Sequence, residues 1–202
     1  MQALCYTRGM IKAIVFDCFG VLTGSSFRDV YRESGGDLIK DSAFIEEVKG
    51  LANAGLISSR ELAERCAEQL GIPVKTFTHN LMCLECPNEP LFDYIESQLR
   101  PHYKLGMLSN AEKGGPQRHL TKEQLALFDT IAVSGEIGYI KPDPQAFEIV
   151  ADRLDVQFNE IVFIDDLMRN VEPAKAMGMT SFQYTDLEDL KRQLATVLHV
   201  SK

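Results

Sequence analysis

The chain has 202 residues, enough for one main domain and a small inserted one, and its 45% hydrophobic and 25% charged residues are typical of a globular protein with a buried core. The 29 acidic and 21 basic residues give a formal net charge of -8, which disfavours nucleic-acid binding because such surfaces need a basic stripe. No apolar run reaches the length of a transmembrane helix. The N-terminus lacks the apolar core of a signal peptide, and the number of cysteines is odd, at five. Both observations favour a reducing cytoplasm over a disulfide-bonded protein.

A buried strand is the first predicted element. The run IKAIVFD, residues 11–17, is a continuous series of β-branched and aromatic residues, as in a strand covered on both faces. Residues 1–9 before it are interpreted as an N-terminal extension without a catalytic role. Residues 26–86 after it carry four helical patterns and no strand pattern, the third helix beginning with a capping box of Ser58 and Glu61. We expect residues 26–86 to form a small helical cap domain inserted behind the first strand.

Beyond the insert, strand patterns alternate with helical ones. Further strands are predicted at 103–109, 129–134, 160–166 and 179–184, and helices at 121–128, 143–155, 170–178 and 185–198. The last helix is expected to begin with a capping box of Thr185 and Glu188. This alternation predicts an α/β fold, a doubly wound, mostly parallel Rossmann-like sheet, with 10–25 and 87–202 forming the core domain.

Polar side chains cluster at the predicted C-terminal ends of these strands. Asp17, the pair Ser109–Asn110 and the pair Asp165–Asp166 follow or end strands, and Lys141 lies in the loop after another. In a parallel α/β sheet these ends converge on one crevice where ligands bind. Four separate parts of the sequence are therefore expected to meet at one site.

Two of these clusters are suited to phosphate chemistry with a metal ion. The Asp17 carboxylate can accept a phosphoryl group as a nucleophile, which divides hydrolysis into two easier steps. Mg²⁺ binds through one or two carboxylates together with phosphate oxygens and water, and Asp17 with Asp165 and Asp166 supplies such ligands.

The remaining groups are suited to holding the phosphate. Ser109 and Lys141 offer a hydroxyl group and a cation to its oxygens, and Asn110 is either a helix cap or a further phosphate ligand. Main-chain N–H groups at Cys18 and Phe19 are expected to complete the phosphate site.

The order of four motifs identifies a resemblance. FDCFGVLT, LSN, GYIKPDP and FIDD follow one another from Phe16 to Asp166, and this set resembles the haloacid dehalogenase-like superfamily, in particular its members with a helical cap after the first motif. The resemblance implies that Asp17 is the nucleophile, that Ser109 and Lys141 bind phosphate, and that Asp165 and Asp166 form the metal site. It also implies a metal bond to the main-chain carbonyl of Phe19.

Phe19 departs from the pattern of that family. Most of its phosphatases carry a second Asp two residues after the nucleophile, where it acts as general acid and then as general base. General acid–base assistance is worth about 10²–10⁴-fold, so its loss favours a substrate with a good leaving group, such as a sugar 1-phosphate. The glucose-1-phosphatase-like branch also lacks this Asp. We therefore predict a magnesium-dependent phosphomonoester hydrolase that forms an aspartyl-phosphate and acts on a small phosphorylated metabolite, with a sugar phosphate as first candidate.

Two alternatives stay open. A metal-independent 2-haloacid dehalogenase of the same superfamily also has an aromatic residue where Phe19 stands, but the pair Asp165–Asp166 would bring charge repulsion to a metal-free site. A catalytically weak member that binds a phosphorylated metabolite or a protein partner is supported by Phe19 alone.

Two further groups in the insert carry no predicted function. Cys83 and Cys86 form a CxxC motif near His79, but they lack the second motif that a zinc site needs. Arg28 and Arg32, four residues apart on the first cap helix, are interpreted as a solvated helix face.

Overall fold

The computed structural model describes residues 10–24, 27–84 and 86–198, and a five-stranded sheet forms the centre of this part of the chain. Its strands are β1 (Ala13–Phe16), β2 (Lys104–Ser109), β3 (Thr130–Val133), β4 (Ile161–Asp165) and β5 (Thr180–Gln183). They lie in the order β3-β2-β1-β4-β5 and all pair in parallel. The predicted doubly wound α/β sheet is confirmed.

Helices surround the sheet and fill the insert. They are α1 (Phe27–Glu33), α2 (Ser42–Asn53), α3 (Ser59–Leu70), α4 (Val74–Leu84), α5 (Glu89–Tyr94), α6 (Lys122–Leu125), α7 (Ser134–Ile137), α8 (Pro144–Leu154), α9 (Met168–Ala176) and α10 (Leu187–Ala195). In the described part of the chain, no helix combines the length and the apolar character needed to cross a membrane.

The continuous apolar run of β1 is explained by burial on both faces. Ile14 and Phe16 pack into a cluster with α5 and α10, whereas Ala13 and Val15 pack into a second cluster with α8 and α9. All four side chains are fully buried. Because successive side chains of a strand point to opposite faces, a strand between two helical layers needs apolar residues at every position.

Helices α1–α4 enclose a third cluster of their own, which includes Phe27, Tyr31 and Phe77. The chain leaves and re-enters the core at neighbouring points, because Thr23 and Pro87 form an isolated antiparallel bridge. On these grounds we retain residues 26–86 as a proposed cap, and 10–25 with 87–202 as the proposed core. The prediction for residues 1–9 lies outside the described residues, as do positions 25, 26, 85 and 199–202.

The predicted helix starts are largely observed. Capping boxes are present at the beginning of α3 and α6. The predicted capping box of Thr185 and Glu188 is wrong, because the N-cap of α10 is Asp186, one residue after the predicted cap. There the Asp186 carboxylate accepts a hydrogen bond of 2.8 Å from the Asp189 main-chain N–H. Aspartate is among the best N-cap residues, so it takes the position that Thr185 was expected to fill.

Candidate active site

The site lies where β1 and β4 end side by side. Asp17 follows β1, and its main-chain N–H donates a hydrogen bond of 2.8 Å to the carbonyl of Ile164, while Asp165 is the last residue of β4. The chain runs outward from β1 to β2 and β3 and then returns to β4, so the strand order reverses here. This is the position at which open parallel sheets form their ligand crevice.

Lys141, from the loop before α8, joins the two strand ends. Its Nζ lies 2.6 Å from Asp17 Oδ1 and 2.7 Å from Asp165 Oδ2, and all three side chains are buried. A buried ammonium group is tolerated only with good ionic and hydrogen-bonding partners, which the two carboxylates supply. Residues 17, 141 and 165, far apart in sequence, therefore form one ionic cluster.

Asp165 is held on all sides. Its Oδ1 accepts hydrogen bonds from the Leu167 main-chain N–H at 2.9 Å and from Asn170 Nδ2 at 3.0 Å. Its Oδ2 accepts from Asn170 Nδ2 at 3.0 Å as well as from Lys141. This carboxylate is oriented towards Lys141 by neighbours on its own loop and helix.

Asp166 has a different environment from its neighbour. Its Oδ1 is buried and has no hydrogen-bond partner among the described residues. Carboxylate oxygens of Asp17, Asp165 and Asp166 lie within 4.8 Å of one another. A buried oxygen of this kind needs a partner, and oxygen ligands at this spacing suit a hard divalent cation. Of the Asp165–Asp166 pair, Asp166 has the more available oxygen.

Gly20 makes room for that carboxylate. Its φ of 91° is the left-handed region that favours glycine, and a Cβ built on it would lie 2.8 Å from Asp166 Oδ2. The turn Cys18–Leu22 therefore passes close to Asp166 only because position 20 has no side chain.

The titration of the cluster follows from burial and mutual repulsion. Burial raises the pKa of Asp17 to about 6 although Lys141 opposes the shift. Burial and the charges of Asp17 and Asp165 raise the pKa of Asp166 to about 8. Burial alone would lower the pKa of Lys141, but Asp165 and Asp17 raise it to about 12. One ammonium group thus faces three carboxyl groups, an excess of negative charge that a bound cation would offset.

The two candidate phosphate ligands at the end of β2 behave differently. Ser109 is fully buried and its Oγ has no hydrogen-bond partner among the described residues. The Asn110 side chain binds the main chain of Lys141, accepting from its N–H at 2.7 Å and donating to its carbonyl at 2.9 Å. The Ser109 hydroxyl group thus has no partner among the described residues, whereas Asn110 holds the Lys141 loop in place.

Cys18 and Phe19 form the start of the turn after Asp17. The Cys18 side chain is buried, and its main chain makes a hydrogen bond to the Asp17 carboxylate. The Phe19 ring packs edge-on against His119, with ring centroids 5.3 Å apart. Position 19 thus presents an aromatic ring to the site and no proton donor.

The cluster opens into a pocket of about 60 Å³ shared by core and cap. Arg28, which was interpreted as part of a solvated helix face, lines this pocket. It forms an ion pair of 3.2 Å with Glu46, and Glu46 forms a second ion pair of 3.4 Å with Arg169 of α9. Arg32 instead pairs with Asp29. The Arg28 side chain is 38% exposed and also lines the pocket, so part of it faces solvent and part faces the site.

Sequence reasoning missed several residues of the site. Asn170 anchors Asp165, and Lys49 and Asn53 line the pocket from the cap. The only signal in the sequence was the position of Asn170 one helical turn beyond Asp166, where a side chain can return to the strand end.

In the described part of the chain, the cysteines of the CxxC motif belong to no group of three potential metal ligands. Cys83 Sγ lies 3.5 Å from His79 Nε2, and Cys86 Sγ donates to the Cys83 carbonyl at 2.8 Å. Among the described residues, the acidic cluster of Asp17, Asp165 and Asp166 is the only group of potential metal ligands.

Comparisons with known proteins show a family match and related folds. The family model described as haloacid dehalogenase-like hydrolase matches residues 11–178. The bifunctional epoxide hydrolase 2 of Rattus norvegicus is 40% identical over 70 residues, which cover 35% of this chain and 13% of that protein. The chain therefore spans only a small part of that relative.

Other relatives match over most of their length. A sesquiterpene phosphatase of Aspergillus oryzae is 27% identical over 87% of this chain and 90% of its own, and a D-ribitol-5-phosphate phosphatase of Bacteroides thetaiotaomicron is 28% identical over 94% and 100%. A haloacid dehalogenase family enzyme of Bacteroides thetaiotaomicron, solved with magnesium and inorganic phosphate, has the same fold. Its TM-score is 0.66 at 21% identity, over 89% of this chain and 98% of its own.

Proposed function

The chain belongs to the haloacid dehalogenase-like hydrolases, and from this premise we propose that it is a magnesium-dependent phosphomonoester hydrolase that works through an aspartyl-phosphate on Asp17. The observation that carries the proposal is Asp166 Oδ1, which is buried beside Asp17 and Lys141 and has no hydrogen-bond partner in the described part of the chain. In a site for phosphoryl transfer, a cation would bind that oxygen. In a metal-free dehalogenase, the same carboxylate oxygen would be left without a partner.

The residues present fit a magnesium ion. Asp17, Asp166 and the main-chain carbonyl of Phe19 would hold it, with Asp165 close by. The bound ion would supply positive charge that offsets the repulsion between the carboxylates and the phosphate oxygens. Relatives with phosphatase activity in their names, and a similarly folded enzyme solved with magnesium and phosphate, support the proposal.

The chain's own side chains supply the nucleophile and the phosphate ligands for both halves of the reaction. In the first, an oxygen of Asp17 attacks phosphorus and a new O–P bond forms, while the ester P–O bond breaks and its electron pair leaves with the ester oxygen as an alkoxide, which takes a proton from solvent. In the second, water attacks the aspartyl-phosphate, which releases inorganic phosphate and restores the carboxylate. Lys141 and the Ser109 hydroxyl group bind phosphate oxygens in both steps, and Asn110 and Asp165 position Lys141.

Phe19 limits the leaving group. Since it cannot donate a proton, the ester oxygen must leave without the usual acid or be protonated by solvent. A small phosphorylated metabolite with an acidic leaving hydroxyl fits this limit, and a sugar 1-phosphate is one such compound. The names of the two phosphatases reported above indicate different substrates, an apolar one for the sesquiterpene phosphatase and a polyol phosphate for the other. Cys18, Cys66, Cys83 and Cys86 form no disulfide bond among the described residues, which supports the proposed cytoplasmic location.

Phosphate release tests the proposal directly. Sugar, nucleotide and aryl phosphates should be screened with magnesium and with chelator, for the wild type, Asp17→Asn and the control Asp152→Asn on the exposed side of α8. We expect release that requires magnesium, is lost in Asp17→Asn and persists in the control. Halide release from a 2-haloacid in the presence of chelator would refute the proposal, and binding without turnover would favour the catalytically weak alternative.

A further inference from the structure

A second, larger cavity adjoins the polar pocket. It has a volume of about 430 Å³, lies between core and cap, and shares Phe19, Phe27, Lys49, Asn53 and Asn110 with the pocket that contains Asp17. Its size is within the range of small-molecule sites. Because the two spaces share these walls, a phosphate held at Asp17 would direct the rest of its ester into the larger one.

The wall of this cavity is mostly apolar. The cap contributes Phe27, Leu62, Ala63, Leu81 and Met82. Leu62 and Ala63 are buried on α3, and Met82 is 68% exposed on α4. The core closes the other side with the Phe19 ring.

Two charged groups on the wall, Glu112 and Arg118, bond to each other. Glu112 accepts hydrogen bonds from the Ser59 hydroxyl, from the Ser59 main-chain N–H at 3.2 Å and from Arg118. Arg118 also donates to Ser59 Oγ at 2.8 Å. Arg60 pairs with Glu64 at 2.8 Å and its side chain is largely exposed. A sugar ring would have to break such bonds to satisfy its hydroxyl groups, whereas an apolar group would leave them intact.

Phe19 stands where most related phosphatases have an acid, and it also lines the apolar cavity. Its ring lines both spaces and rests on His119 at the junction where the leaving group would begin. A carboxylate in its place would lose hydration against an apolar leaving group. The residue that removes the general acid therefore also extends the apolar wall to the ester oxygen.

From these contacts we infer that the cavity binds the leaving group of an apolar phosphate monoester, whose oxygen is acidic enough to leave without protonation; an aryl phosphate is the simplest case. The inference rests on the proposed function, since the phosphate is placed at Asp17. It selects an apolar leaving group over the sugar considered above.

A series of 4-alkylphenyl phosphates, from phenyl to 4-hexylphenyl, tests the inference. Chain length changes along the series while the acidity of the phenol stays nearly constant, so burial is separated from leaving-group chemistry. We expect kcat/KM to rise by up to about fourfold for each methylene group that becomes buried, and to exceed the value for glucose 1-phosphate at the long end. A flat series, or a preference for glucose 1-phosphate, overturns the inference.

Two variants locate the effect in the cavity. Ala63→Phe fills space on α3, so the gain should stop at a shorter chain, whereas Ala195→Phe, at an exposed position on α10, should change nothing. Met82→Glu puts a charge at an exposed part of the wall and should lower the long-to-short ratio of kcat/KM several-fold. Leu56→Glu, equally exposed and outside the wall, is its control. If neither cavity variant changes the ratio, the assigned site is wrong.

Failure of the proposed function is distinguishable from failure of this inference. If no phosphate is hydrolysed, the proposed function fails, and the cavity is then tested by calorimetric binding of the corresponding 4-alkylphenyl phosphonates, which cannot turn over. Affinity that increases with chain length supports the apolar site even then. Affinity independent of chain length overturns it.

Discussion

Lys141 Nζ lies 2.6 Å from Asp17 Oδ1, and both side chains are almost completely removed from solvent. Asp165 approaches the same ammonium group from the other side. Lys141 therefore has two proposed roles. It neutralises part of a buried acidic cluster, and it presents a positive charge to a phosphate. The first role concerns stability and the second concerns turnover, so the two can be measured separately.

Replacement of Lys141 by Met should damage both properties. Removing one partner of a buried ion pair leaves the other charges uncompensated, and typically costs about 3–5 kcal/mol. We expect a decrease of that order in the free energy of unfolding in urea at pH 8. The control Lys175→Met, on the exposed side of α9, should change it by less than about 0.5 kcal/mol. Equal unfolding midpoints for the two variants would contradict the role of Lys141 in the cluster.

Magnesium should stabilise the protein more as the pH rises. The pKa of Asp17 is raised to about 6 and that of Asp166 to about 8, both above the ordinary value of 3.8. A raised carboxyl pKa contributes stability that is present below about pH 4 and is lost as the pH rises through 6 and then 8. The ion binds the ionised form, so its stabilising effect grows over the same interval.

Thermal unfolding at pH 5 to 9, with magnesium and with chelator, measures this linkage. The difference in Tm between the two conditions should widen from pH 5 to 8 in the wild type and should be smaller in Asp166→Asn. A difference that does not depend on pH would show that these carboxyl groups do not bind the ion.

Much of the fold could be predicted because local patterns determine it. The run around Ile14 is apolar at every position since both faces of β1 are covered, and Ser58 begins α3 through its own capping box. The short helices α5 and α7 were not predicted, because four to six residues give too little periodicity to recognise. At α10, Thr185 and Asp186 are adjacent N-cap candidates, and the sequence does not decide between them.

The sequence predicts which residues form the site better than it predicts the role of each residue. Asp165 and Asp166 are identical and adjacent, but they have different surroundings: one binds Lys141 and Asn170, and the other keeps an unpartnered oxygen. That difference depends on the start of α9 and on the turn at Gly20. Neither leaves a periodic pattern in the sequence.

Gly20→Ala should weaken magnesium binding without a comparable effect on folding. The added Cβ would lie 2.8 Å from Asp166 Oδ2 and would displace that carboxylate, so we expect at least a tenfold loss of magnesium affinity in calorimetry, about 1.4 kcal/mol. Gly35→Ala is the matched control. Its φ of 96° brings similar backbone strain, but a Cβ there meets no atom within 4 Å. Equal magnesium affinity in both variants would exclude a role for the close contact at position 20.

Phe19→Asp should change how the rate depends on the leaving group. In the wild type no acid is present at this position, so kcat/KM should fall steeply as the pKa of the leaving alcohol rises. A carboxyl group there can protonate the departing oxygen, and we expect turnover of simple alkyl phosphates to increase by about 10²-fold or more, with little change for aryl phosphates. Phe19→Leu removes the ring contact with His119 without adding an acid, and is the control for altered packing. The slope of log kcat/KM against leaving-group pKa should therefore become shallower in Phe19→Asp alone. If the slopes of all three proteins are equal, the missing acid at position 19 is not what makes the rate depend on the leaving group.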